Sequence, residues 1–350
     1  MNSNKTHILV IRLSAMGDVA MTVPVIRALL NQNNSIKITI LTRSFFAPFF
    51  KEFKNVTIYT PDLKGKHKGF TGLFKLYKEL LKLNIDCVAD LHNVLRSNIL
   101  VKLFRLKGIQ CVQLDKGRKE KKQLTSASTH KVLFPLKTMH ERYAEVFNTL
   151  GFSVDLKASY PITKGNIPKY IKEELQGSKL IGIAPFAAYK SKALPITKIQ
   201  ELIEQVCTYP NVQIFLLGGG IQEKTILENL ATEYKNVHSV VQKGSFEEEL
   251  NLISNLDVMV AMDSGNGHIA AIYGVPVITI WGVTHPYLGF VPFQQSMEHQ
   301  ITPDLKKYPL IPTSVYGKDY PESYLNCFDT IDVHQITNII HKILNKKESV

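Results

Sequence analysis

The chain has 350 residues, and its 42 Lys and Arg against 30 Asp and Glu leave a formal charge of +12. That length exceeds one small domain and predicts two domains of about 150–180 residues. Hydrophobic residues at 45% and charged residues at 21% are ordinary globular values, which exclude a disordered, collagen-like or coiled-coil chain.

The basic excess is uneven. Residues 1–165 hold 27 Lys and Arg against 11 Asp and Glu, net +16, whereas residues 166–350 hold 15 against 19, net −4. Such charge speaks to partners rather than to fold, and nucleic acid, an anionic membrane surface or an acidic substrate would each fit it. Cys87, Cys111, Cys207 and Cys327 are far apart and form no CxxC. Neither a disulfide framework nor a zinc ribbon is expected, and a reducing compartment fits. The polar N-terminus lacks the apolar stretch of a signal peptide, and no apolar run approaches the roughly 18–20 residues that span a bilayer. The expected location is cytoplasmic, with membrane contact at most peripheral.

In chain order, residues 7–11 (HILVI) form a short apolar run that stops at a Gly turn before an apolar-periodic stretch, residues 19–30. This reads as strand, tight turn, helix. Strands are expected at 36–42, 56–59 and 86–91, and helices at 70–83 and 140–150. The pattern then restarts, with strands at 180–185, 212–217, 257–262 and 275–281 and helices at 196–208, 246–254 and 268–273. A final amphipathic helix is expected over 332–344. Alternating strands and helices predict parallel sheets covered on both faces. Two such units suggest two Rossmann-like domains, 1–165 and 166–330, with 331–350 as a terminal helix able to pack back on the first. Residues 160–168, with two prolines and a glycine, are the linker candidate. The segment Lys116-Gly117-Arg118-Lys119-Glu120-Lys121-Lys122 reads as a basic loop, which is either a functional surface or simply a solvated one.

Three places carry candidate chemistry. Asp18 follows the first strand on a turn made tight by Gly17, where an open α/β sheet presents ligand-binding side chains. A carboxylate there suits a general base, and equally suits a helix N-terminus as a dipole partner. Asp263-Ser264-Gly265-Asn266-Gly267-His268 follows a strand and opens a helix. Its small residues allow close backbone approach to a phosphate, with Ser264 as an added donor. The alternative is a Gly-rich turn with Asp263 or Ser264 as N-cap. Lys190 and Lys192, after the first strand of the second half, suit a phosphate or an exposed loop. Gly218-Gly219-Gly220 does not complete a dinucleotide fingerprint, and the sequence holds no P-loop, Asp-x-Asp or HExxH pattern. Trp281, at a strand end, reads as structural.

Two segments together resemble the family 9 glycosyltransferases, the lipopolysaccharide heptosyltransferase family: Ile8–Leu29 (ILVIRLSAMGDVAMTVPVIRAL) and Val260–Pro286 (VAMDSGNGHIAAIYGVPVITIWGVTHP). Val88–Leu100, His140–Tyr143 (HERY) and Lys192–Pro195 are similar to further family elements, in the family's order. The resemblance implies a GT-B fold, α/β, with two Rossmann-like domains facing a central cleft. It implies an inverting transfer from a nucleotide-diphosphate sugar, ADP-heptose above all, to an acidic glycolipid acceptor of the lipopolysaccharide inner core, with no cofactor and no metal. The family's base falls on Asp18. Donor binding falls on Lys192, Asp263, Ser264, Gly265 and His268, with Glu223 on a looser match. Acceptor binding falls on Ser14, Met16, Gly17, Arg96, Lys116, Arg118 and Lys119.

Where relatives carry hydroxyl residues before the phosphate lysine, this chain has Ala187 and Ala188. A GT-B transferase with another sugar nucleotide or acceptor stays open, as does a silent glycan- or nucleotide-binding homologue. The basic half lacks any nucleic-acid module, so nucleic acid is not an expected partner. A basic acceptor domain suits an acidic glycolipid at the inner leaflet of the cytoplasmic membrane. A monomer, peripherally attached there, is the expected state.

Overall fold

The computed structural model describes residues 5–171, 175 and 177–346. Met1–Asn4, at the start of the polar N-terminus, and Lys347–Val350, at the end of the predicted terminal segment, lie outside them. The first half runs β1 (Thr6–Ile11), α1 (Met16–Ala20), α2 (Thr22–Gln32), β2 (Ile36–Leu41), β3 (Val56–Tyr59), α3 (Gly69–Leu81), β4 (Cys87–Asp90), α4 (Leu95–Leu106), β5 (Gln110–Gln113), α5 (Arg118–Leu124) and α6 (Met139–Thr149). The second half runs β6 (Lys179–Ala184), α7 (Ile196–Cys207), β7 (Val212–Leu216), α8 (Ile221–Thr232), β8 (Val237–Ser239), α9 (Phe246–Ser254), β9 (Val258–Met262), α10 (Gly265–Ile272), β10 (Val277–Ile280), β11 (Gln300–Ile301) and α11 (Val333–Lys346).

The strands form two parallel sheets, ordered β3-β2-β1-β4-β5 and β11-β10-β9-β6-β7-β8. Their central strands are buried along nearly their whole length, which is why they read as continuous apolar runs rather than as alternating ones. The chain divides into two compact units. One joins the residues up to Lys116 with Met139–Pro161, and the other joins Gly117–Thr138 with the residues from Ile162 onward.

In the first unit, Leu73, Leu76, Tyr77 and Leu80 of α3 and Leu100, Val101 and Phe104 of α4 close over Leu9, Ile11 and Val88 of the sheet. The Tyr77 and Phe104 rings meet edge to face at 5.1 Å. The single helix predicted over 19–30 is two, α1 and α2, and Pro24 sits in the first turn of α2, where its missing N–H breaks no helical bond. In the second unit, α11 sets Ile336, Ile340, Ile343 and Leu344 into the same apolar core as Ile199, Leu202 and Ile203 of α7. The apolar face that the sequence allowed to return to the first domain is thus buried within the second unit.

The basic segment expected to be a loop is the helix α5. Together with the residues after it, it belongs to the second unit, for physical reasons visible at four points. Leu124 and Leu136 share an apolar cluster with Leu288. The Leu136 amide donates to the Tyr287 carbonyl at 2.9 Å. The Lys121 ammonium lies 4.1 Å from the centre of the Phe290 ring. Lys131 Nζ donates to the carbonyls of Ser126 (3.2 Å), Leu310 (2.7 Å) and Pro312 (2.7 Å). Burial around this ammonium pushes its pKa down to about 8.

The Lys131→Met variant removes the one charged donor that these three carbonyls share. It is expected to lower the unfolding free energy by about 2–3 kcal/mol, read by denaturant titration, and to speed limited proteolysis between 117 and 138. Unchanged cleavage there would show that Lys131 does not hold the segment.

Candidate active site

Both sheets reverse their strand order once, and a parallel sheet offers its crevice at that reversal, outside the carboxyl ends of the strands. In the first unit the reversal lies between β1 and β4. The apolar run of β1 ends at Arg12, whose guanidinium is buried. Its Nη2 pairs with Asp18 Oδ2, its Nη1 donates to the Leu91 carbonyl at 2.6 Å, and its centre lies 5.8 Å from that of the Tyr143 ring. Tyr143 in turn donates its hydroxyl to the Asp18 carbonyl at 3.4 Å. The Ala15 amide donates to Asp18 Oδ2 at 3.2 Å.

Asp18 therefore does serve the first turn of α1, as the plainer reading held. The buried Arg12 adds a role that a helix cap does not need. Both anchors hold Oδ2, while the side chain remains 28% exposed. At the end of β4, the buried Asp90 accepts from the amides of His92 (3.0 Å) and Asn93 (2.9 Å) and from Gln113 Nε2 (2.9 Å), which fixes the turn carrying His92. Burial first, then the positive charges of Arg12 and Lys116, push the His92 pKa down to about 4. His92 faces this site as a neutral imidazole.

In the second unit the reversal lies between β6 and β9. Lys192 ends a short 3-10 turn after β6, Asp263 follows β9, and Thr284 follows β10. Lys192 Nζ donates to Asp263 Oδ2 at 2.9 Å, and Thr284 Oγ1 donates to the same oxygen at 2.9 Å. All three side chains are largely buried.

The turn under Lys192 is fixed by its neighbours. The Ser191 hydroxyl donates to the Gly317 carbonyl, and the Ser191 carbonyl accepts from the Val283 amide at 3.0 Å. A Cβ at Gly282 would stand 2.0 Å from that carbonyl oxygen, so only glycine lets the two loops meet. Ser264 is the N-cap of α10, yet its hydroxyl makes no cap bond and, though buried, no hydrogen bond among the described residues. The first N–H groups of α10 have no intrahelical partner by geometry. A buried ammonium, a buried hydroxyl and a helix N-terminus thus converge where an anion would be stabilised.

The other sequence candidates are placed as follows. Gly265 opens α10 and the buried His268 is its fourth residue. Lys190 is exposed, so the two lysines of that loop have separate environments. Glu223, in the first turn of α8, accepts from the Gly219 amide at 2.6 Å and so holds the glycine turn. Ser14, Met16 and Gly17 line the turn that carries Asp18. Arg96 is exposed at the start of α4, and Lys116 is half-buried after β5. Arg118 and Lys119 are exposed on α5, in the second unit. Trp281 is fully buried and donates Nε1–H to Gln300 Oε1 at 3.1 Å, a structural role as read.

Sequence reasoning did not single out Arg12, Tyr143, His92 or Thr284. Arg12 and Thr284 did carry a signal, since each is a polar residue within four places of the carboxyl end of an apolar strand. The Tyr143 contact depends on tertiary packing alone.

A family model described as glycosyltransferase family 9 (heptosyltransferase) matches residues 73–309. The chain belongs to this family. It is 25% identical over 305 residues to lipopolysaccharide heptosyltransferase 1 of Campylobacter coli, which covers 80% of this chain and 85% of that protein. A solved family 9 glycosyltransferase from Veillonella parvula superposes with a TM-score of 0.72 at 18% identity, covering 99% of both chains. The Escherichia coli heptosyltransferase WaaC, solved with ADP, gives 0.61 at 22% identity over 82% of this chain and 91% of its own. The fold is GT-B, and the protein is a glycosyltransferase of the heptosyltransferase family.

In this glycosyltransferase the residue after Thr284 is a titrating support for the loop. His285 Nδ1 accepts from the Tyr287 amide at 3.2 Å, and protonating that nitrogen would break the bond. Burial, then the charge of Lys131, push the His285 pKa down to about 4. Between about pH 4 and pH 6.5 the unfolded chain therefore binds a proton that the folded one refuses, so this histidine's contribution to stability is lost as the pH falls through that window. Replacing His285 with Asn, whose Oδ1 can still accept from the amide two residues on, is expected to flatten the loss by on the order of 1–3 kcal/mol. Denaturant unfolding at several pH values reads the difference, and identical acid slopes would remove His285 from the account.

Proposed function

We propose that this enzyme transfers heptose from ADP-heptose to an acceptor sugar of the lipopolysaccharide inner core, inverting the anomeric carbon and needing no metal ion. The observation that carries the reading is the Lys192–Asp263–Thr284 group at the β6/β9 reversal, beside the N-terminus of α10. The names of the relatives support the donor and acceptor classes. The Campylobacter coli relative is a lipopolysaccharide heptosyltransferase, and WaaC was solved with ADP and with ADP-2-deoxy-2-fluoro heptose.

The second unit holds the donor. Its diphosphate lies against Lys192 Nζ, the Ser264 hydroxyl and the first N–H groups of α10. Asp263 and Thr284 keep Lys192 aimed at that place. In the first unit Asp18, steadied by Arg12, takes the proton of the acceptor hydroxyl. The acceptor oxygen attacks the anomeric carbon as the bond to the diphosphate oxygen breaks, and the electron pair leaves with ADP. Negative charge on the diphosphate grows through this step, so donors aimed at it favour the transition state over the ground state. That positive set is this chain's own means of stabilising the leaving group. Arg96, Lys116, Arg118 and Lys119 offer charge to the acidic acceptor, and the enzyme works as a monomer at the cytoplasmic face of the membrane.

The Asp18→Asn variant is expected to lower kcat by 10²-fold or more, about the usual scale for losing a general base, while calorimetry finds ADP-heptose bound nearly as in the parent. The Lys192→Met variant is expected to weaken ADP-heptose binding by roughly tenfold or more, the scale of one charge-assisted contact. Chelator is expected to leave turnover unchanged. Heat of binding from another sugar nucleotide but not from ADP-heptose would overturn the donor assignment, and full turnover in Asp18→Asn would overturn the base.

A further inference from the structure

Among its described residues the first unit exposes five large apolar side chains, and four of them stand on one rim. β1 to β4 are parallel and end level with one another, with Ile11 beside Leu41, Leu41 beside Tyr59 and Ile11 beside Asp90. Each segment that follows these strands therefore starts at the same edge as the Asp18 turn. After β2 comes Phe45, 54% exposed. After β3 come Phe70 and Phe74, 67% and 41% exposed, in the first half of α3. After β4 comes Leu95, 77% exposed, the first residue of α4. The fifth is Leu106, 85% exposed, at the last residue of α4 and so at the opposite edge of the sheet.

The rim is also basic. Residues 61–78 hold five lysines against one acidic residue, Asp62. The exposed Asp62 carboxylate is engaged by its own turn and accepts from the amides of Gly65 and Lys66, both at 2.8 Å. Lys64, Lys68 and Lys75 are exposed, as are Arg43 before Phe45 and Arg96 after Leu95. The Lys78 ammonium lies 4.8 Å from the centre of the exposed Phe74 ring, so cation and aromatic share one surface.

We infer that this rim docks the enzyme on an anionic lipid bilayer, with Phe45, Phe70, Phe74 and Leu95 entering the headgroup region and the surrounding lysines and arginines meeting lipid phosphates. Aromatic rings with basic neighbours suit that interface, whose negative potential attracts cations within about a Debye length. A soluble protein partner would be met by apolar area closed on all sides. Here exposed cations flank the apolar side chains, Arg43 before Phe45, Lys68 before Phe70, Lys75 after Phe74 and Arg96 after Leu95, as an interface that is itself charged and wet requires. The geometry also has a use. A lipid-linked acceptor would reach the Asp18 turn from the same edge that touches the membrane, a purpose that rests on the proposed acceptor, although docking itself does not.

The experiment is sedimentation of the full chain with vesicles. The parent is expected to bind vesicles of phosphatidylethanolamine with about one-third phosphatidylglycerol and not vesicles of phosphatidylcholine alone, and to release them as salt rises from about 0.1 M to about 0.5 M. The Phe70→Ser/Phe74→Ser double variant, altered only at exposed positions, is expected to weaken that binding by about tenfold or more with an unchanged melting temperature. Leu106→Ser is expected to bind as the parent does. Failure of the parent to bind anionic vesicles, retained binding in the double variant, or equal loss in Leu106→Ser would each overturn the rim. Turnover with a delipidated, water-soluble acceptor is measured alongside. Turnover without vesicle binding overturns the rim alone, and vesicle binding without turnover overturns the proposed function alone.

Discussion

Parallel pairing is the constraint from which the sites follow. A strand that runs beside its predecessor in the same direction must be reached by a crossover, so every strand ends at one edge and every loop that follows starts there. The amino-acid sequence has no other way of bringing Lys192, Asp263 and Thr284 together from positions as far as 92 residues apart. The reversal between β6 and β9 parts the helices on either side of it, and the two loops that open there supply the ammonium and the carboxylate. The same constraint puts Arg12, Asp18 and His92 at one place in the first unit, and aligns the basic and aromatic segments after β2, β3 and β4.

Within that frame each unit buries a charge pair, and the two pairs differ in kind. Lys192 and Asp263 are both largely buried. Such a pair contributes little net stability, because desolvation cancels most of its attraction, whereas removing either partner leaves an uncompensated buried charge. Its value lies in geometry: Thr284 and Lys192 share one carboxylate oxygen, so the ammonium has a fixed direction. Arg12 and Asp18 are unequal. The arginine is buried among Leu91 and Tyr143, and the carboxylate is partly open. The buried partner orients and the open one remains available to react, the division of labour expected of a supporting residue and a base.

Most of the strands were legible because strands buried on both faces are apolar throughout, and β3 and α9 match their predicted limits. What was missed follows from the same physics. β5 and β8 are short edge strands with Gln or His in their runs, so apolar patterning has little to act on. α4 places Arg96, Asn98, Lys102 and Arg105 among its apolar residues and blurs the helical period. α5 is mostly charged, and it is held by Leu124 and by the buried Lys121 against the Phe290 ring, which no local signal announces. At the sites, Asp18 and the Asp263–His268 loop were visible because glycines and small residues mark a backbone that must turn or approach closely. Tyr143 was not, because its contacts with Arg12 and Asp18 arise only when α6 folds back on β4 and β5 of the first sheet.

The charge asymmetry changes once the units are known. Counted by halves it is +16 against −4. With residues 117–138 in the second unit, the first holds 20 Lys and Arg against 10 Asp and Glu and the second holds 22 against 20, so the nets become +10 and +2. The helix that most resembled an acceptor patch therefore belongs with the strands that carry Lys192. Under the proposed function, Arg118 and Lys119 are then offered to the acidic acceptor by the same unit that holds the donor, and Arg96 and Lys116 by the first.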